Sequence, residues 1–132
     1  MIQHKFLLVD DNPIDIMVHK RLLQNSFPDS PVIAFNNSAD ALMFFSDNRM
    51  DFSELPSVVL LDIIMPRVDG FAFIEELEKI FTKIPFTIFL LSSTLDDADF
   101  AKAKENKWVD TILGKPLDTE SLRRLLGIPD KK

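Results

Sequence analysis

Four apolar runs in this sequence each stop at residues able to do chemistry. Phe6-Leu7-Leu8-Val9 runs into Asp10-Asp11, and Val58-Val59-Leu60-Leu61 runs into Asp62. Ile88-Phe89-Leu90-Leu91 runs into Ser92-Ser93-Thr94, and Leu113-Gly114 meets Lys115-Pro116. If those ends share one edge of a sheet, three carboxylates, a hydroxyl and an ammonium converge. Carboxylates packed together repel, and one or more stays protonated unless a cation intervenes. A hard divalent cation answers that need, and Mg²⁺ suits a site of one or two carboxylates, a carbonyl, waters and a phosphoryl oxygen. Such a site is built for phosphoryl chemistry: the cation and Lys115 spread the charge of a phosphoryl group, and the Ser hydroxyl hydrogen-bonds another of its oxygens. A carboxylate can itself be the nucleophile, giving an aspartyl phosphate. Each residue alone has a plainer reading: Asp10 and Asp11 as turn or cap residues, Lys115 as a solvated lysine. Their joint placement, at four strand ends of five, is what sets them apart.

The elements that must position these residues can be read from the rhythm of the chain. Five short runs read as strands: Lys5–Val9, Val32–Phe35, Ser57–Leu61, Phe86–Leu91 and Asp110–Leu113. Most are continuously apolar, as in parallel strands buried on both faces. Between them lie helix-length segments with start signals. Asn12-Pro13 pairs a cap residue with a proline suited to the first helical position. Ser38 is placed to cap Ala39–Asp47, Asp96 a helix to about Lys107, and Asp118 a helix over Thr119–Leu126 that Gly127 stops. Gly70 precedes Phe71–Phe81, where Phe71, Ile74, Leu77 and Phe81 form an apolar stripe at helical spacing. Strand and helix alternate five times, which implies an α/β fold with a parallel sheet and helices on both faces. In open sheets of this kind ligands bind beyond the carboxyl ends of the strands, where the acids, Ser92 and Lys115 stand.

Composition narrows the function classes. The chain has 132 residues, one domain's worth, and its 46% hydrophobic and 27% charged residues argue against a disordered chain. A net charge of −6 argues against direct nucleic-acid binding. The lack of cysteine excludes disulfides and thiolate metal sites. No apolar run approaches the roughly 20 residues of a membrane helix, and Met1–Asp10 lacks the pattern of a secretion signal. A soluble cytoplasmic protein is expected. Residues 1–132 read as a single domain, with only Ile128–Lys132 after the last helix and no output domain.

The residues at the strand ends resemble a known family. Phe6-Leu7-Leu8-Val9-Asp10-Asp11-Asn12 is similar to the acidic-pair motif of bacterial two-component response-regulator receiver domains. Leu60 to Gly70, read LDIIMPRVDG from Leu61, is similar to the family's phospho-acceptor segment, LD-x-x-MP-x-x-DG. Leu90-Leu91-Ser92-Ser93 resembles its hydroxyl motif and Lys115-Pro116 its Lys-Pro motif, all in order and over essentially the whole chain. The resemblance implies a flavodoxin-like (βα)5 fold with strand order 2-1-3-4-5. It implies that Asp62 is the nucleophile that becomes an aspartyl phosphate, with Mg²⁺ held by Asp10, Asp11, Asp62 and the backbone carbonyl of Ile64. Ser92, in preference to Ser93, would bind a phosphoryl oxygen and act as a switch residue. Lys115 would pair with the phosphoryl group, and its bond to Pro116 would be cis.

Two positions depart from the family. Three residues before the lysine the family carries Tyr or Phe, whose side chain swings inward on activation; here the position is Ile112, so that swing cannot occur. Two residues after the acceptor stands apolar Ile64, which cannot orient an attacking water; with Thr94 it occupies the positions that influence hydrolysis, and slow autodephosphorylation is expected. The resemblance implies a histidine kinase or histidine phosphotransfer protein as phosphoryl partner and an unspecified protein as downstream target. The helix after the first strand, with Ile14, Met17 and Val18, would dock the kinase, unless those residues are core. The face of the fourth helix, fifth strand and fifth helix, with Lys102, Lys104, Trp108, Ile112 and Leu117, would change on phosphorylation, although Lys102 and Lys104 also read as a solvated helix face. Two other readings stand beside this one: a phosphorylation-independent interaction module, for which Ile112 leaves room, and an aspartyl-nucleophile phosphatase, against which Ile64 argues because such enzymes place a second acid there. His4 and His19 lack metal-ligand spacing.

Overall fold

In the computed structural model, which describes residues 4–128, strand and helix alternate without interruption. The elements are β1 (Phe6–Val9), α1 (Pro13–Ser26), β2 (Val32–Phe35), α2 (Ser38–Asp47), β3 (Val58–Asp62), α3 (Gly70–Ile80), β4 (Thr87–Ser92), α4 (Asp97–Glu105), β5 (Val109–Gly114) and α5 (Thr119–Leu125). All strand pairs are parallel, and the sheet order is β2-β1-β3-β4-β5. This is the five-stranded order expected above.

The side-chain alternation of a strand divides the core in two. Leu7, Val9, Val59, Leu61, Ile88, Leu90 and Ile112 point to the face covered by α2, α3 and α4. Phe6, Leu8, Val58, Leu60, Phe89 and Leu91 point to the face covered by α1 and α5, where Leu23 and Leu122 meet them. Burial on both sides explains why β1, β3 and β4 read as unbroken apolar runs. β2 lies at the sheet edge and is only half-buried. On the first face Phe45 stacks on Phe86 with centroids 5.0 Å apart, and Phe81 meets both edge-on. Each buried phenylalanine contributes roughly 1.5–3 kcal/mol by leaving water, so this cluster anchors α2 and α3 firmly under the sheet.

Local sequence sets the boundaries, with small corrections to the expectations. Asn12 Oδ1 accepts from the Ile14 and Asp15 amides and starts α1 at Pro13. Asn37, not Ser38, caps α2, because its carboxamide oxygen accepts the Asp40 N–H at 2.8 Å. α3 begins at Gly70 with Asp69 as its cap, and α4 stops at Glu105 instead of running to Lys107. The cause of the early stop is Asn106, whose extended backbone ends the helix and whose side chain accepts the Trp108 N–H. β3 and β4 each run one residue further than their apolar runs, so Asp62 and Ser92 belong to the sheet itself. Gly127 ends α5 with φ of 72°, the left-handed conformation suited to glycine. Of the chain-end expectations, residues 1–3 and 129–132 lie outside the described residues.

Candidate functional site

The register of the sheet brings the strand ends level. Val9 pairs with Leu61, Asp62 with Leu91 and Ser92 with Gly114. Asp10, Asp62, Ser92 and Lys115 therefore stand side by side at the carboxyl edge, the position that ligand sites take in open α/β sheets. Asp10 and Asp62 are buried, at 3% and 6% exposure, and Asp11 is exposed. One carboxylate oxygen from each of Asp10, Asp11 and Asp62 lies within 4.8 Å of the others.

Each side chain is aimed by a local bond. Asp10 Oδ1 accepts the Asn12 N–H at 2.9 Å, and Asp62 Oδ1 accepts the Ile64 N–H at 3.2 Å. The second oxygen of each then faces Lys115, whose Nζ donates to Asp10 Oδ2 at 2.9 Å and lies 3.3 Å from Asp62 Oδ2. Lys115 also donates to Asp15 Oδ2 at 2.9 Å. The lysine is placed by its own N–H, which donates to the Ser92 carbonyl at 3.0 Å, and its bond to Pro116 is cis as expected. Gly70 closes the loop after β3: its N–H donates to the Ile63 carbonyl at 2.8 Å.

Electrostatics follows from burial. Burial, then the neighbouring Asp10 charge, pushes the Asp62 carboxyl up to about 6, against the opposing pull of Lys115 and of the Ile64 N–H. Burial alone would depress Lys115, but the hydrogen bonds to Asp15 and Asp10 and the Asp62 charge outweigh it and raise the pKa. The ammonium is therefore firmly charged. Three hard oxygen donors, two of them from buried residues, form a donor set that fits a hard cation such as Mg²⁺.

Ser92 and Ser93 differ plainly in placement. Ser92 ends β4 at 1% exposure, and its Oγ accepts the Leu95 and Thr94 amides at 3.1 and 3.2 Å. Ser93 is exposed in the turn that follows. Ile64 stands 61% exposed at the mouth of the site. Ile112 is buried within the core cluster on the α2–α4 face, so no ring occupies that position. Ile14, Met17 and Val18 are exposed on α1 and are not core. Leu117 is buried, and Lys102 and Lys104 are exposed on the α4 face, with the Lys102 ammonium over the Phe71 ring at 4.6 Å. Trp108 packs on the core and its indole N–H donates to Glu78 at 3.1 Å.

Two residues at the site carry no motif and have no role assigned by sequence: Asp15, and His19, whose spacing fits no metal site. His19 is buried, and its Nε2 accepts the Leu117 N–H at 3.2 Å. Burial and the Lys115 charge hold its pKa below 6.5, so the ring is neutral, as an acceptor must be. The usable signal is spacing. Asp15, His19 and Leu23 follow at intervals of four, and Leu23 is fully buried. The inward stripe of α1 thus becomes polar as it nears the site.

An open parallel (βα)5 sheet carrying an aspartate triad, a lysine and a serine on its carboxyl edge defines a receiver-type signalling domain. Comparison with known proteins gives the family: the response regulator receiver domain model matches residues 6–126, and the chain belongs to that family of two-component signalling proteins. Among solved structures, a response regulator receiver protein of Dyadobacter fermentans is 31% identical with a TM-score of 0.80, over 92% of this chain and 94% of that one. A two-component response regulator of Cytophaga hutchinsonii is 26% identical with a TM-score of 0.86, over 96% of both chains. Stress response regulator protein 1 of Lodderomyces elongisporus is 29% identical over 116 residues, 88% of this chain but 30% of that protein. The chain thus spans under a third of that relative, and 50% of the probable C4-dicarboxylate response regulator DctR of Bacillus subtilis, which is 26% identical over 92% of this chain. Among the described residues no helix is long and apolar enough to cross a membrane.

Proposed function

We propose that this domain accepts a phosphoryl group on Asp62 from the phosphohistidine of a histidine kinase or histidine phosphotransfer protein, and that the acyl phosphate switches a protein-binding surface. The observation that carries this reading is Lys115 Nζ, 3.3 Å from Asp62 Oδ2 within a triad of aspartates. Asp62 Oδ1 is engaged by the Ile64 N–H, so Oδ2, which faces Lys115, is the nucleophile. As its bond to phosphorus forms, the P–N bond of the donor breaks and the imidazole leaves with the electron pair. Lys115 neutralises charge on a phosphoryl oxygen, and the Ser92 hydroxyl offers a hydrogen bond to another. Asp10, Asp11, Asp62 and the Ile64 carbonyl would hold Mg²⁺, which supplies charge neutralisation at the phosphoryl group.

Ile64 at the mouth offers no group to orient a hydrolytic water, which supports a long-lived phosphoryl group. Since Ile112 cannot swing as a ring would, the change is carried by the β4–α4 turn. There Ser92 Oγ holds the Thr94 and Leu95 amides, and those bonds must loosen when the hydroxyl turns to a phosphoryl oxygen. Intact-mass measurement after incubation with acetyl phosphate and Mg²⁺ tests the reading. One phosphoryl group on the wild type and none on Asp62→Asn is expected. Equal modification of the two proteins would refute it.

A further inference from the structure

The carboxylate of Asp15 lies outside the aspartate triad yet holds the lysine on which phosphoryl transfer depends. We propose that Asp15 is a rival of the phosphoryl group for Lys115: a positioning residue that detains the ammonium and slows phosphoryl uptake by Asp62. The inference rests on the phosphoryl-acceptor reading above. An ammonium has three N–H donors. Three carboxylate oxygens surround this one, Asp10 Oδ2 and Asp15 Oδ2 at 2.9 Å and Asp62 Oδ2 at 3.3 Å. Two of these contacts, to Asp10 and Asp15, are hydrogen bonds and the third is an ion pair, so while Asp15 stays engaged at most one donor faces an incoming phosphoryl oxygen.

The three partners differ in what the reaction does to them. Asp62 gives up its full charge when it becomes an acyl phosphate. Asp10 belongs to the donor set proposed for the cation. Asp15 alone has neither fate, so its hold on Lys115 persists. Its position is fixed by the start of α1, where its N–H reaches the Asn12 side chain at 3.3 Å. One helical turn on, His19 accepts the Leu117 N–H, so α1 grips the Lys115–Leu117 turn at both ends. With 34% of its side chain exposed, Asp15 forms a pair that water can exchange, in contrast to Asp10 at 4%.

The test is the rate of phosphoryl uptake on Asp62 with Mg²⁺ present, from acetyl phosphate, releasing acetate, and separately from phosphoramidate, releasing ammonia. Asp15→Asn is expected to speed uptake roughly threefold to fivefold, the upper range of a partly exposed ion pair, with both donors and at high salt. A gain confined to the more highly charged acetyl phosphate and erased by salt would mean that Asp15 merely repels anions, and would overturn the proposal. Unchanged or slower uptake would overturn it as well. Absence of uptake on the wild-type Asp62 would instead mark failure of the acceptor reading itself. A metal-free cycle checks the pairing: Asp15→Asn is expected to lower the unfolding midpoint of the wild type more than that of Lys115→Met. Equal shifts in the two backgrounds would contradict it.

Discussion

Gly70 is the residue at which packing and chemistry are most tightly joined, and replacing it with alanine has a cost that can be worked from the structure. A Cβ at this position would stand 2.9 Å from the Asp62 carbonyl oxygen, 3.0 Å from Ile63 Cα and 3.3 Å from Leu90 Cδ2. The first two are backbone atoms of the strand end that carries Asp62, so neither yields as a flexible side chain would. Overpacking of this kind costs about 1–3 kcal/mol. Against it, alanine restricts the unfolded chain and favours the helix that starts here, worth about 0.4–1 kcal/mol. The net expectation is a loss of about 1–2 kcal/mol, or on the order of 3–8 °C in Tm for a domain of this size. Gly127→Ala supplies the contrast. Nothing lies within 4 Å of a Cβ there, but φ is +72°, so its cost of about 1 kcal/mol is conformational. Urea unfolding monitored by Trp108 fluorescence, with phosphoryl uptake measured on the same samples, separates the two. Gly70→Ala should lose both stability and uptake, because the clash displaces Asp62; Gly127→Ala should lose stability alone. A Gly70→Ala protein as stable as the wild type would refute the packing argument.

Three further expectations follow from individual residues. Because His19 in the folded protein has a pKa below its ordinary 6.5, the unfolded chain binds more protons near that pH, and stability falls as pH drops through and below 6.5. His19→Gln keeps an acceptor for Leu117 without a titration, so its stability difference from the wild type should shrink or reverse between about pH 7.5 and 5, by at most about 1.4 kcal/mol per pH unit; a constant difference would count against it. Arg67 adopts φ of 70° in the loop after β3, so Arg67→Asn, a residue tolerant of that region, should raise stability by about 0.5–1 kcal/mol in denaturant titration. Ile64→Asn places a polar group at the mouth of the site and should speed phosphoryl loss severalfold in a decay time course; decay no faster than the wild type would sink the argument from its apolar side chain.

How much of this was legible beforehand depends on whether the signal is local. The strands announced themselves because burial on both faces keeps the middles of β1, β3 and β4 apolar, with polar residues only at the ends of β3 and β4. Asp10, Asp62, Ser92 and Lys115 could be placed at one edge because each breaks an apolar run and parallel order makes such breaks coincide. Helix limits are less legible where competing caps adjoin. Asn37 and Ser38 are both able to cap, and only the Asp40 amide decides between them. Asp15 and His19 carry no role that the sequence reveals, for a different reason. Their roles depend on Lys115 and Leu117, about a hundred residues away in the chain, and no spacing rule links the two segments. The placement of Lys102 over Phe71 is likewise a meeting of α4 with α3 that neither helix's pattern contains.

The acyl phosphate itself can be sought directly. Borohydride reduces an acyl phosphate to an alcohol and leaves free carboxylates untouched, so treating the protein after exposure to acetyl phosphate and Mg²⁺ writes the acceptor into the sequence. Peptide mapping by mass spectrometry should then find homoserine in place of Asp62 and unaltered aspartates at positions 10, 11 and 15. Homoserine at any of those other positions, or at none, would contradict the assignment of Asp62 as the phosphoryl acceptor.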